Sequence, residues 1–279
     1  MPPSDNVNAE DFATFSEALA HTNPGGTIHF RDGGLIEEPV VLNKDVTIDA
    51  QGAKKGVSFT KKVTVDDADV TMNFCAIRGI DGLEVTGTKP FTLSNSTVDS
   101  PAPAVINTSG EVMIQTTNFW NQKGSKENAI VFGDKCGKVV MQRCNIQDAY
   151  AKGAVVVNSG SDVRMNTVQC FNASPAIAPF IISGDVKGHV ELTDFVVQYK
   201  GEATANTAIA QFSKTKLASE KEFADVSVEI RGVEATNNAT FTEGRTKVTA
   251  ESIGIAKAFI VMGVNNNIIT SDNPVVTFK

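Results

Sequence analysis

The sequence is poor in the groups that usually announce chemistry. Its 279 residues hold four cysteines and three histidines. No two cysteines have CxxC spacing and no two histidines HxxxH spacing, so a metal centre of the common kind is not expected. Phosphate-loop, dinucleotide-fingerprint and catalytic-triad motifs are missing too, and no cofactor is expected. No apolar run approaches the roughly 20 residues that a membrane-crossing helix needs. Residues Met1 to Asn8 offer neither the basic nor the apolar stretch of a signal peptide, so the expected location is a cytoplasm or a particle assembled in one. Positive charge is in short supply, with 25 Lys and Arg against 32 Asp and Glu, a net charge of −7. A face that grips nucleic acid or an anionic membrane needs the opposite balance, so neither partner is expected.

What the chain does have is a repeat. Apolar residues make up 41% of it, enough for a large core. Val112-Met113-Ile114, Val139-Val140-Met141 and Val163-Arg164-Met165 open three copies of one unit. In each, a polar pair interrupts the alternation and a second alternating stretch follows. Alternation of period two places successive side chains on opposite faces and means strand. The polar pair means that the chain bends there. First strands of the same type start at 46, 70, 91, 112, 139, 163, 190 and 226, at spacings of 24, 21, 21, 27, 24, 27 and 36. A companion series runs through Leu83, Ala104, Ala129, Ala154, Phe180 and Ala208. About three short strands per period in the low-to-mid twenties is the mark of a solenoid, and the leucine and asparagine skeleton of leucine-rich repeats is missing. The expected fold is all-β: a right-handed parallel β-helix with a short N-terminal capping helix.

Stacked turns predict columns of like residues. Cys75, Ser96, Thr117, Cys144, Val168 and Phe195 fill one inner column, and Ile77, Val98, Phe119, Ile146, Cys170 and Val197 another. The column between them, Ala76, Thr97, Asn118, Asn145, Gln169 and Val196, is mostly polar and should face out. Cys75 and Cys144 lie three turns apart, about 14 Å at the strand spacing, too far for a disulfide. Cys75, Cys144 and Cys170, on inner columns, are therefore read, like Cys136, as free thiols that fill space.

Taken in order, residues 1–26 read as an arm and capping helix, with Asn8 as N-cap, Phe12, Phe15 and Leu19 on one face, and a stop at Asn23-Pro24-Gly25-Gly26. Residues 27–235 read as the solenoid, with a charged excursion at Lys214 to Phe223, and 236–279 as a C-terminal segment that caps it or reaches a partner. The order of a helix, then Pro24-Gly25-Gly26-Thr27-Ile28, Gly33-Gly34, Pro39-Val40-Val41-Leu42 and Val46-Thr47-Ile48-Asp49-Ala50-Gln51-Gly52 resembles the opening of the pectate-lyase-like β-helix superfamily. The resemblance spans roughly residues 9–235 and is nearest in flavour to phage tailspikes and other virion β-helices. It implies the fold. It leaves lyases, hydrolases, adhesins and inert structural proteins all open.

Tested against those relatives, the catalytic inventory is thin. Pectate lyases gather aspartates around calcium and use an arginine base; here Asp66, Asp67 and Asp69 form the one dense acid run, with Arg78 the nearest arginine, and read as a turn. Gly188-His189-Val190 is a partial echo of a polygalacturonase motif whose Arg-Ile-Lys is missing, and His21 and His29 have no nucleophile motif beside them. An alternative catalytic set is Asp148, Glu191 and Asp194, carboxylates on neighbouring turns that could act on a glycoside if two came within about 5–9 Å. Trp120, Phe171, Tyr199 and Tyr150 are the aromatics that could stack on a sugar or anchor an interface, and the interface is preferred. The expectation is a non-enzymatic structural protein. It would be a capsid decoration or cement protein that assembles as a homotrimer on a virion and contacts capsid or another virion protein. The alternative is a tailspike-like module that binds or cleaves a glycan.

Overall fold

The computed structural model describes residues 2–181 apart from 122–126, 149, 159–161 and 175–176, and beyond 181 the backbone of strand segments as far as Phe278. The strands build three sheets of 11, 9 and 10 strands. A turn of chain visits each sheet once. Val46–Asp49 lies in the first sheet, Val57–Phe59 in the third and Val63–Asp66 in the second, after which Val70–Asn73 returns to the first. All pairings are parallel except that of Glu234–Asn237 with Thr246–Thr249. The molecule is a three-sheet parallel β-solenoid.

Strands of three to five residues suffice because each buries its alternate side chains. Val112 and Ile114 face inward, fully buried, and Met113 between them is half-buried on the outside. Phe59, Phe91, Phe119, Phe132 and Phe180 are the largest fully buried side chains. Register holds like under like, with Ile77, Val98, Phe119, Ile146, Cys170 and Val197 pairing successively along the third sheet. The polar residues between also stack as expected, and Asn145 Nδ2 donates to Asn118 Oδ1 at 3.0 Å.

The bend at the polar pair has a simple construction. One residue there takes a left-handed conformation: Phe74, Asn95, Thr116, Arg143 and Thr167, at φ of 58°, 49°, 49°, 53° and 53°. One such residue redirects the chain from the first sheet to the third, and the carbonyl before it keeps its bond to the neighbouring turn: Ser94 accepts from Phe74 N–H at 3.1 Å, Gln115 from Asn95 N–H at 3.1 Å and Gln142 from Thr116 N–H at 3.0 Å. In three of these turns the next residue adds a second bond to the same carbonyl from inside. Ser96 Oγ donates to the Ser94 carbonyl at 2.6 Å, Thr117 Oγ1 to that of Gln115 at 3.0 Å, and Cys144 Sγ to that of Gln142 at 3.3 Å. Serine, threonine and cysteine in this column are small enough to sit inside and can donate that bond, while Val168, after the left-handed Thr167, fills the same place without it.

The N-terminal region departs from the expected single helix. Ser4–Asn8 is a strand, parallel to Thr22–His29, so it caps the first sheet directly. Asn8 caps a short 3-10 turn, Ala9–Asp11, with its side chain accepting from Glu10 N–H. The α-helix proper is Phe15–His21, capped by Thr14. Phe15 plugs the end of the core, 6.3 Å from Phe30 and edge-on to Phe59 at 5.6 Å. Glu10 pins the turn from below by accepting the N–H groups of Arg31, Asp32 and Gly33.

Register corrects two alignments. Ala104 pairs with Ile130 and Ile130 with Val155, so Ala129 and Ala154 precede their strands and do not begin them. Ala210, not Ala208, faces Phe180, and Val228, not Val226, faces Val190. The segment 236–279 supplies the last strand of every sheet: Thr246–Thr249, Val261–Met262 and Val276–Phe278. The charged excursion expected at Lys214 to Phe223 lies outside the described residues.

Candidate functional site

The corner from the third sheet to the second gathers the aromatic candidates. Trp120, Gln147 and Phe171 share one register column on successive turns, so the two rings flank Gln147 about 10 Å apart. Both rings are half-buried. The next column holds Asp148 and Asn172, each left-handed, at φ of 71° and 56°. Asp148 is exposed and Asn172 Nδ2 points at its Oδ1 from 3.4 Å. Tyr150 belongs to the interior, 3% exposed. Burial pushes its hydroxyl far above the usual range, helped by the nearby Cys170, Asp148 and Asp99. Neither that hydroxyl nor Asp99 Oδ1 finds a hydrogen-bond partner among the described residues. A small cleft of about 10 Å³ between Tyr150, Cys170 and Pro179 is too tight for a sugar. Tyr199 ends the strand Val196–Tyr199 and pairs with Ala173, two residues past Phe171, so it does not continue the Trp120–Phe171 column.

The second sheet beside this corner carries a feature that the sequence reading passed over. Its outward column reads Glu84, Val105, Val131, Val156 and Ile181 in unbroken register. The last four are half-buried apolar side chains on a face where alternation normally places polar groups. The signal was present as the middle residue of each triplet, Ala104-Val105-Ile106 and Ile130-Val131-Phe132 among them. Continuous apolar runs hide which residue points out.

The remaining candidates scatter. Glu191 pairs with Arg164 and Glu229 on the first sheet, whereas Asp148 sits at the end of a third-sheet strand. Asp194 and the side chains of Glu191, His189 and Tyr199 lie outside the described residues. Asp67 Oδ1 accepts from the N–H and hydroxyl of Thr88 at 2.7 and 2.9 Å, and these bonds hold its carboxyl below the usual range. Asp69 N–H donates to Asp45. His29 bridges toward Asn6, and His21 Nδ1–H donates to the Glu17 carbonyl at 2.9 Å. Among the described residues no three His, Cys, Asp or Glu cluster as metal ligands do, and no helix is long and apolar enough to cross a membrane. All four cysteines are free and buried. Burial pushes Cys75 and Cys136 up to about 12, Cys144 to about 11, and Cys170 higher still, so none is poised as a nucleophile. No protein-family model, curated protein or solved structure matches the chain.

Proposed function

We propose that the chain is a non-enzymatic structural protein that works by side-by-side association, and that the assembly is a homotrimer decorating a virus particle. The observation that carries the association is the outward apolar column Val105, Val131, Val156 and Ile181. A stable contact needs about 800 Å² per partner, more than four side chains supply. The Trp120–Phe171 corner lies next to the column and provides the aromatic anchors. A corner of one protomer against the apolar face of the next is a heterologous contact, which closes as a ring of three when each protomer is turned by a third of a circle from the last and otherwise runs on as a filament. The placement on a virion rests on the resemblance to virion β-helices.

The test is light scattering on the purified chain, with a screen for sugar release from polysaccharides. The expected mass is three times the 29.6 kDa of one chain, with no release. Val131→Glu with Val156→Glu should give a folded monomer. A wild-type monomer that depolymerises a glycan would overturn the reading. It would point instead to the glycan module, with Trp120 and Phe171 as stacking platforms.

A further inference from the structure

The N-terminal end of the solenoid is only partly closed. Ser4–Asn8 covers the first sheet, but the third sheet ends at Gly34–Ile36 and the second at Val40–Leu42, with no strand beyond either among the described residues. The sequence does not blunt these edges. Leu35 is 66% exposed and Val41 51%, two of four large apolar side chains so exposed among the described residues. In the pairing with Val57–Phe59, Gly34 N–H and the Ile36 carbonyl bond to the next turn. Parallel pairing engages alternate residues, so the N–H and C=O of Leu35 face the open side. An unpaired row of this kind is a template for another strand.

A groove runs along this edge. Its volume is about 200 Å³, and it lies between the segment Ala9 to Phe15 and the edge strand. Phe12, Phe15, Phe30, Leu35 and Ile36 supply an apolar lining, and Glu10 a polar wall. Charge is concentrated here. Residues 1–40 contain seven carboxylates (Asp5, Glu10, Asp11, Glu17, Asp32, Glu37 and Glu38) against one arginine, Arg31, a net of −6, although Asp11 pairs with Arg31 and Asp32 with Lys54 of the next turn. The chain already uses the mode on the neighbouring sheet, where its own Ser4–Asn8 adds in parallel to Thr22–His29.

We propose that this end takes up an extended, basic segment of a partner protein as an added strand on Gly34–Ile36, with one large apolar side chain seated in the groove. Main-chain bonds to Leu35 give affinity, the groove selects the apolar residue, and the acidic rim selects lysine and arginine flanks. This site is at the end of the solenoid, apart from the lateral face assigned to trimer contact.

The test is fluorescence anisotropy on the full chain with a labelled peptide. The peptide alternates threonine with apolar residues, one of them phenylalanine, between lysine ends. Two control peptides carry glutamate ends, or N-methyl groups on the amides that would face Leu35. Saturable binding of the basic peptide, weakened about tenfold by N-methylation, is expected. Leu35→Pro should weaken it similarly, and that variant should still fold because proline is tolerated on an edge. Equal binding of the N-methylated peptide would overturn strand addition, and equal binding of the glutamate peptide would overturn the charge assignment. No binding by any peptide would overturn the site. End-to-end polymers of the chain that the basic peptide fails to dissolve would make a second copy the occupant and overturn the partner.

Discussion

Thr116 offers a direct test of how the solenoid turns its tightest corner. Its φ is 49°, its side chain is exposed, and its N–H bonds to the Gln142 carbonyl at 3.0 Å, so the backbone conformation is fixed by the ladder. A left-handed conformation costs an L-residue about 1–2 kcal/mol, and β-branching sits at the unfavourable end. Thr116→Gly removes that strain. It also frees the unfolded chain, which costs about 0.4–1 kcal/mol. The net expectation is a gain of about 0.5–1 kcal/mol. Thr116→Asn should gain a comparable amount, since asparagine tolerates this region without the entropic loss. Thr47→Gly, on an extended outward strand position, is the control and should lose about 0.5–1 kcal/mol. Urea unfolding followed by circular dichroism gives the differences, provided the slope is unchanged between variants. Thr167, at φ 53° two turns away, should respond alike and nearly additively. If Thr116→Gly destabilised as much as Thr47→Gly, the corner would be relaxed and the strain argument wrong.

Further outcomes follow from the packing. Phe119→Ala empties the middle of the stack, where the ring is fully buried between Val98 and Ile146, and should cost about 3–5 kcal/mol by the same unfolding assay. A thiol reagent at pH 8 should label none of the four cysteines in the native protein and all four in urea; native labelling at stoichiometric level would contradict their raised pKa values. Glu10 is pulled two ways: burial raises its pKa, and the N–H groups of Gly33, Arg31 and Asp32 together outweigh this and lower it. The folded value then lies below the unfolded one, so its stabilisation is present above about pH 4.5 and fades as pH falls through the folded value. Glu10→Gln should flatten that acid limb in melts recorded between pH 3 and pH 6, and an unchanged limb would assign it to other carboxylates.

The fold was legible because its signal is periodic and redundant. Six successive turns repeat the pattern of Ile77 and Val98, and each turn confirms the last. Slips came where the signal is degenerate. Ala129-Ile130-Val131-Phe132 is apolar throughout, so nothing in it fixes which residue begins the strand, and a shift of one exchanges inside for outside. Ser4-Asp5-Asn6-Val7-Asn8 reads as polar because only Val7 is buried, yet it completes a sheet. The left-handed corner shows in sequence only at Asn95; phenylalanine, threonine and arginine hold the same place elsewhere because the ladder imposes it. Of the aromatics, Trp120 and Phe171 could be placed together from spacing, whereas Tyr150 follows its strand on a loop whose inward course no periodicity records.

The parallel stack also sets how the molecule would bear load. Hydrogen bonds between turns run along the solenoid axis, and the first and last strands of the first sheet, Ser4–Asn8 and Val276–Phe278, lie at its opposite ends. A pull on the two termini therefore loads those bonds in tension, one turn at a time, and not in shear across many at once. Rupture should proceed as a sawtooth of peeling events. Each turn between Val46 and Val190 would release 21 to 27 residues, or about 70–90 Å of contour, and the last two turns would release more. A chain built this way yields gradually from its ends while the middle of the rod stays folded.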